Sequence, residues 1–157
     1  MKVLQLLPLI CLLMFSCNHK PDKSIATKTT DDAEHSKRNL EGAWELVGYY
    51  NYVDNKVTDS FDLSKGYKQV KIYTPTKVMW SKSVPLDSTE WFGYGSYDIE
   101  GTELVEVLDY GSEMMTKIIQ EKKKFTYELD YNNKSFSQIE IDENGNRIYS
   151  ENYVRIE

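Results

Sequence analysis

The stretch Lys124-Phe125-Thr126-Tyr127-Glu128-Leu129-Asp130-Tyr131 alternates without a break. In an extended chain successive side chains point to opposite faces. Phe125, Tyr127, Leu129 and Tyr131 therefore share one face, and Lys124, Thr126, Glu128 and Asp130 share the other. That is a β-strand with one side on a core and one in water. A second stretch, Lys68 to Thr74, repeats the pattern less cleanly, with Val70 and Ile72 opposing Gln69 and Lys71. The apolar pair is expected to face inward.

Outward from these two stretches, residues 39–157 are rich in Tyr, Val, Ile, Thr and Trp, the side chains of pleated surfaces. Strands are predicted over 43–52, 67–74, 76–82, 91–99, 102–110, 114–120, 124–131, 135–142 and 147–156. Asn144-Gly145 suits a two-residue hairpin turn, whose two central positions both need positive φ. Asn132-Asn133 and Glu100-Gly101 are weaker turn signals of the same kind. Pro75 falls between the second and third strands, where it removes no ladder hydrogen bond. Short strands with hairpin connections and no long crossover give an all-β, antiparallel up-and-down meander. Closing that sheet removes its exposed edges, which favours a barrel of eight or nine strands over a two-sheet sandwich. No solenoid or propeller period is present.

The chain has 157 residues, enough for one domain, with 40% hydrophobic, 13% aromatic and 28% charged residues. This composition builds one core and argues against wholesale disorder. The net charge of −6 argues against a nucleic-acid partner, because phosphate binding needs a basic surface. Residues 39–157 are more acidic still, with 13 positive and 21 negative side chains.

The beginning of the chain has a different character. Met1-Lys2 is followed by a nearly continuous apolar run from Val3 to Phe15, broken by Gln5 and Pro8. At ~1.5 Å rise per residue this covers about 20 Å, short of the ~30 Å hydrocarbon core. A signal peptide over 1–16 explains it better than a transmembrane helix. Residues 18 to 38 carry mixed charges, little apolar surface and no periodicity, as expected of a flexible, disordered tether. The expected organisation is a signal peptide over 1–16, a tether over 17–38 and a β-barrel over 39–157.

Histidine and cysteine positions exclude more than their totals. His19 and His35 lie in the tether, and Cys11 lies in the apolar run with Cys17 just after it. The barrel therefore has neither residue type, which removes a Ser-His-Asp triad, a Cys-His pair and an ordinary zinc site. No Gly-rich phosphate loop is present, and no cofactor or metal is expected. Asp142-Glu143-Asn144-Gly145-Asn146 lacks the ligand spacing of a calcium loop and reads as a turn. Carboxylates are plentiful, but no spacing selects a glycosidase pair. The chain is expected not to be an enzyme.

Glu106 stands apart. It shares a face with Leu104 and Leu108, so it either points into the barrel or a bulge puts it outside. Inside, it is costly unless paired or hydrated, and would serve as a polar handle or a partner for Arg155.

Two resemblances follow from these residues. Leu13-Met14-Phe15-Ser16-Cys17, a small residue before cysteine at the end of an apolar run, resembles the bacterial lipoprotein cleavage box. That resemblance implies acylation of Cys17 by palmitate-type chains and anchorage in the cell envelope, in the outer membrane. Several chains together give lasting attachment at roughly 0.8 kcal/mol per buried CH₂. Gly42-Ala43-Trp44 at the start of the first strand resembles the signature of lipocalins and related calycin barrels. In that superfamily an arginine near the last strand packs across the first-strand tryptophan; Arg155 and Trp44 are the matching positions. More specifically, the chain is similar to small lipocalin-like lipoproteins of Bacteroidetes-type bacteria. Tyr73-Thr74-Pro75-Thr76-Lys77-Val78-Met79-Trp80, Gly95-Ser96-Tyr97-Asp98-Ile99-Glu100-Gly101-Thr102 and Tyr153-Val154-Arg155 carry that likeness.

The expected function is a lipid-anchored, monomeric binding module holding a small, partly apolar molecule. Its lining is expected from Trp44, Leu46, Tyr50, Val70, Ile72, Trp80, Tyr97, Glu106 and Tyr127, since such pockets combine aromatics with a few polar groups. The alternative is a filled barrel acting as an envelope interaction protein, through loops at 54–65 and 83–90.

Overall fold

A computed structural model describes residues 39–61, 63–85 and 88–157. The signal peptide, Cys17 and the tether lie outside the described residues. Nine antiparallel strands form one sheet: β1 Gly42–Val53, β2 Lys56–Ser60, β3 Lys68–Tyr73, β4 Lys77–Ser83, β5 Trp91–Glu100, β6 Glu103–Gly111, β7 Lys124–Asn132, β8 Ser135–Ile141 and β9 Arg147–Arg155. The order is β2-β1-β3-β4-β5-β6-β7-β8-β9, and β1 also pairs with β9. Eight strands thus close a ring, and the protein is an all-β barrel. The ninth, β2, pairs with the far end of β1 through Tyr50–Val53, whereas β3 uses Gly42–Glu45.

Local chemistry explains where the elements depart from the sequence expectation. The segment predicted as a strand at 114–120 is a helix, α1 Glu113–Glu121. Ser112 caps it, its side chain accepting from the Met115 backbone N–H. Met115, Ile118 and Ile119 recur at helical spacing, and Lys117 Nζ pairs with Glu113 2.9 Å away, one turn earlier. The β1–β2 hairpin was hidden by its polar strand, all of whose residues are exposed. Its turn is Asp54-Asn55, both with positive φ, the demand of a two-residue hairpin. Asn144-Gly145 instead sits in a longer connection, where Asp142 accepts the backbone N–H groups of Asn144 and Asn146.

The core fills one end of the barrel. Leu40, Trp44, Leu46, Tyr73, Val78, Leu104, Tyr127, Leu129, Phe136 and Tyr153 form one buried cluster. Trp44 is fully buried and donates its indole N–H to the Leu40 carbonyl at 2.6 Å. The Arg155 guanidinium carbon lies 4.0 Å from the Trp44 ring centroid, and Arg155 donates to the carbonyls of Glu41 and Asn133. Gly42 has φ +123°, and a Cβ there would lie 2.3 Å from the Glu157 carbonyl oxygen and 2.5 Å from the Arg155 guanidinium. The Gly-x-Trp spacing is therefore a packing requirement: glycine leaves room for the arginine that covers the tryptophan.

Candidate functional site

Above this apolar floor the barrel interior turns polar. Strand β3 decides it. Gln69, Lys71 and Tyr73 are buried, while Ile72 is 46% exposed. The strand faces opposite to the sequence expectation: Val70 and Ile72 do not line the interior. Burying Lys71 requires a counter-charge. Glu106 supplies it from β6, with Lys71 Nζ 2.9 Å from Oε1 and 3.1 Å from Oε2. Lys71 also donates to Gln138 Oε1 at 2.6 Å. The Tyr73 hydroxyl donates to Glu106 Oε1 at 2.6 Å. Glu106 therefore points inward, and its partner is Lys71 rather than Arg155.

A second set of bonds joins this one. Glu151 Oε2 on β9 accepts from Gln138 Nε2 at 2.8 Å, from the Tyr153 hydroxyl at 2.6 Å and from Gln69 Nε2 at 3.2 Å. Gln69 also donates to the Tyr153 oxygen at 2.7 Å and accepts from Tyr67 at 2.8 Å. Among the described residues, no buried side-chain nitrogen or oxygen lacks a partner. A network in this state is rigid, because each group's alternative is an unpaired burial.

Electrostatics match the geometry. Burial pushes the Tyr73 hydroxyl well above its ordinary pKa, and the Glu106 charge adds to this. Tyr153 is raised by burial and then by Glu151, and Tyr127 by burial and then by Glu106. Tyr73 and Tyr153 keep their protons and donate them to Glu106 and Glu151 rather than acting as bases.

A cavity of about 80 Å³ opens over the network. Its polar wall is Gln69, Lys71, Lys82, Glu106, Gln138 and Glu151, and its apolar wall is Trp80, Leu108, Met115, Phe125 and Tyr127. Gly93 positions Trp80: a Cβ at Gly93 would lie 2.9 Å from the indole, so the ring rests on bare backbone of the neighbouring strand. Helix α1 contributes Met115.

Of the nine side chains expected to line a pocket, Trp80, Glu106 and Tyr127 line this one. Trp44 and Leu46 belong to the floor. Tyr97 packs against that floor, edge-on to Tyr73, and donates its hydroxyl to the Thr74 carbonyl. Tyr50 faces away: a bulge between Leu46 and Gly48 changes the phase of β1, so Tyr49 pairs with Glu151 and Tyr50 with Ser150. Gln69, Lys71, Gln138 and Glu151 were missed. One signal was available: an inward Glu106 demands an inward cation, and Lys71 lies in phase with aromatic Tyr73.

Both carboxylates border one cavity, but Glu106 is bound on both oxygens by Lys71. A two-carboxylate reaction would first have to break that buried pair. Among the described residues no cluster of His, Cys, Asp and Glu could hold a metal ion. No helix among them is long and apolar enough to cross a membrane.

No family model matches the chain, and no curated protein matches it. Among solved structures it is similar to an uncharacterized protein from Bacteroides eggerthii DSM 20697. The two share 15% identity with a TM-score of 0.49, over 74% of this chain and 99% of that one.

Proposed function

We propose that this protein is a lipid-anchored binding module of the bacterial cell envelope, a lipocalin-like lipoprotein whose barrel takes a small, partly apolar ligand at one end. The observation that carries the binding role is the two-sided wall of the cavity. One side is a hydrogen-bonded polar network and the other is aromatic and aliphatic, which is the make-up of a small-molecule site. The anchor is supported by the apolar run ending at Ser16-Cys17. Asn39, where the described chain begins, bonds through its carbonyl to Tyr131 at the floor end, away from the cavity.

Size limits the ligand. At about 80 Å³ the cavity is well below the ~300–1,000 Å³ of sites for drug-sized molecules. The same observation favours the second reading, a filled barrel acting through its surface. Phe61, 51% exposed beside β2, would then belong to the contact face.

The test is native mass spectrometry on the full-length protein extracted from bacterial membranes. An added mass that leaves on denaturation supports a carrier. A clean mass with no stabilisation by any member of a fragment panel supports surface action. A Cys17→Ser variant recovered in the soluble fraction, lacking the acyl mass of its parent, supports the anchor; an unchanged membrane fraction overturns it.

A further inference from the structure

We propose that the cavity selects a small organic cation, whose ammonium group sits between the Glu151 carboxylate and the ring of Trp80. This rests on the barrel being a binding module and names the class of its ligand.

The charges on the cavity wall are Lys71, Lys82, Glu106 and Glu151. Lys71 has three N–H bonds and directs them to Glu106 Oε1, Glu106 Oε2 and Gln138 Oε1. It has no donor left for an anionic ligand. Glu106 is bound on both oxygens, by Lys71 and Tyr73. Lys82 Nζ lies over the Trp91 ring, 4.2 Å from its centroid. Glu151 is different. Three neutral donors converge on Oε2, from Gln69, Gln138 and Tyr153. Among the described residues Glu151 forms no ion pair, and its Oε1 accepts no hydrogen bond. Since no buried side-chain oxygen there lacks a partner, Oε1 is open rather than sealed. The uncommitted charge on this wall is thus negative.

The opposite wall suits the same ligand. Aromatic faces attract cations, most strongly where water is excluded. Lysine ammonium groups already sit over two of the rings, Lys71 Nζ 5.9 Å from the Tyr127 centroid and Lys122 Nζ 5.3 Å from that of Phe125, so the Trp80 ring is the face offered to the ligand. The field of Glu151 extends through the site: after burial, it is the next cause holding the Tyr49, Tyr67 and Tyr153 hydroxyls protonated. The volume admits an alkylammonium head of a few heavy atoms.

The experiment is calorimetric titration of the full-length protein in detergent, with tryptophan fluorescence as a second readout. The probes are ethylammonium, tetramethylammonium, acetate, ethanol and potassium chloride. The expected result is saturable binding of the two ammonium ions alone, weakened at least tenfold by Glu151→Gln, which keeps an acceptor for Tyr153. Trp80→Leu should weaken tetramethylammonium several-fold, and it serves as the deciding variant if Glu151→Gln does not fold. Binding of acetate or ethanol as tight as that of ethylammonium, or ammonium binding unchanged in the variants, overturns the cation assignment while leaving a binding module. Saturable competition by potassium likewise overturns an organic ligand. No binding by any probe of any charge, together with a clean native mass, overturns the binding module itself.

Discussion

Lys71 Nζ on β3 lies 2.9 Å from Glu106 Oε1 on β6, with both side chains 3% exposed. The two charges meet across the barrel interior, and the polar layer is built around them. Removing one partner strands the other in a medium that cannot solvate it. Lys71→Met should therefore cost about 3–5 kcal/mol. Lys71→Met combined with Glu106→Leu should recover most of that loss, because an apolar pair needs no counter-charge. Urea unfolding of the two variants checks this, and equal losses in both would contradict it.

The floor of the barrel makes a second demand. Trp44 is fully buried among Leu40, Phe136 and Tyr131, edge-on to Phe136 at 4.9 Å. Trp44→Ala should destabilise by about 3–5 kcal/mol through lost burial and the void left behind. Arg155→Lys keeps the charge but loses the planar fork that stacks on the indole and reaches the carbonyls of Asn133, Glu41, Glu157 and Asn39. It should cost about 1–2 kcal/mol, a partly exposed cation–π contact together with weakened carbonyl bonds. Thermal unfolding orders the two: a larger loss for Arg155→Lys would mean that the ring is not the plug.

Gly42→Ala should fold poorly. Its φ of +123° is unsuited to an L side chain, and the new Cβ would meet Glu157 and Arg155. Backbone strain alone costs about 1–3 kcal/mol. Gly101→Ala is the control, since a Cβ at Gly101 meets nothing within 4 Å although φ is +60°. The difference between the two melting temperatures reports the clash with Glu157 and Arg155 together with the less accessible φ of Gly42.

Alkali should unfold the barrel cooperatively. The pKa values of Tyr73, Tyr127 and Tyr153 are all raised well above the ordinary phenol value, chiefly by burial. A raised folded-state pKa means that the native state holds the proton more tightly than the unfolded chain. The stability it contributes is complete below pH ~10 and is lost as pH climbs beyond the unfolded phenol pKa toward the folded ones. Ultraviolet titration should show exposed phenols ionising first, then the buried ones in one step coincident with loss of circular dichroism. Smooth independent ionisation of every tyrosine with the fold intact would refute it.

Much of the architecture was legible because alternation is a property of neighbours. Strand β7 could be placed from Lys124–Asn132 alone, since its aromatic and charged residues separate at period two. Helix α1 was misread because a short run such as Met114-Met115-Thr116-Lys117-Ile118-Ile119 suits either period, and only the Ser112 cap separates them. Strand β2 was invisible because it buries nothing. The site was less legible than the fold. Hydropathy assigned Val70 and Ile72 to the inside, yet Gln69 and Lys71 occupy it.

The sequence by itself determined an antiparallel β architecture, the place of the Gly-Ala-Trp segment at its start, and the absence of histidine and cysteine chemistry from residues 39–157. These follow from local periodicity and composition, which no distant residue can alter. Only the tertiary structure decided which face of β3 is interior. Lysine at 71 is a surface residue by hydropathy and an interior one only when Glu106, 35 positions later, and Gln138, 67 positions later, arrive beside it. Charge pairing acts across space, and ring closure brings those three strands around one centre. The same is true of β1, where one bulge between Leu46 and Gly48 exchanges Tyr50 for Tyr49 on the face of Glu151.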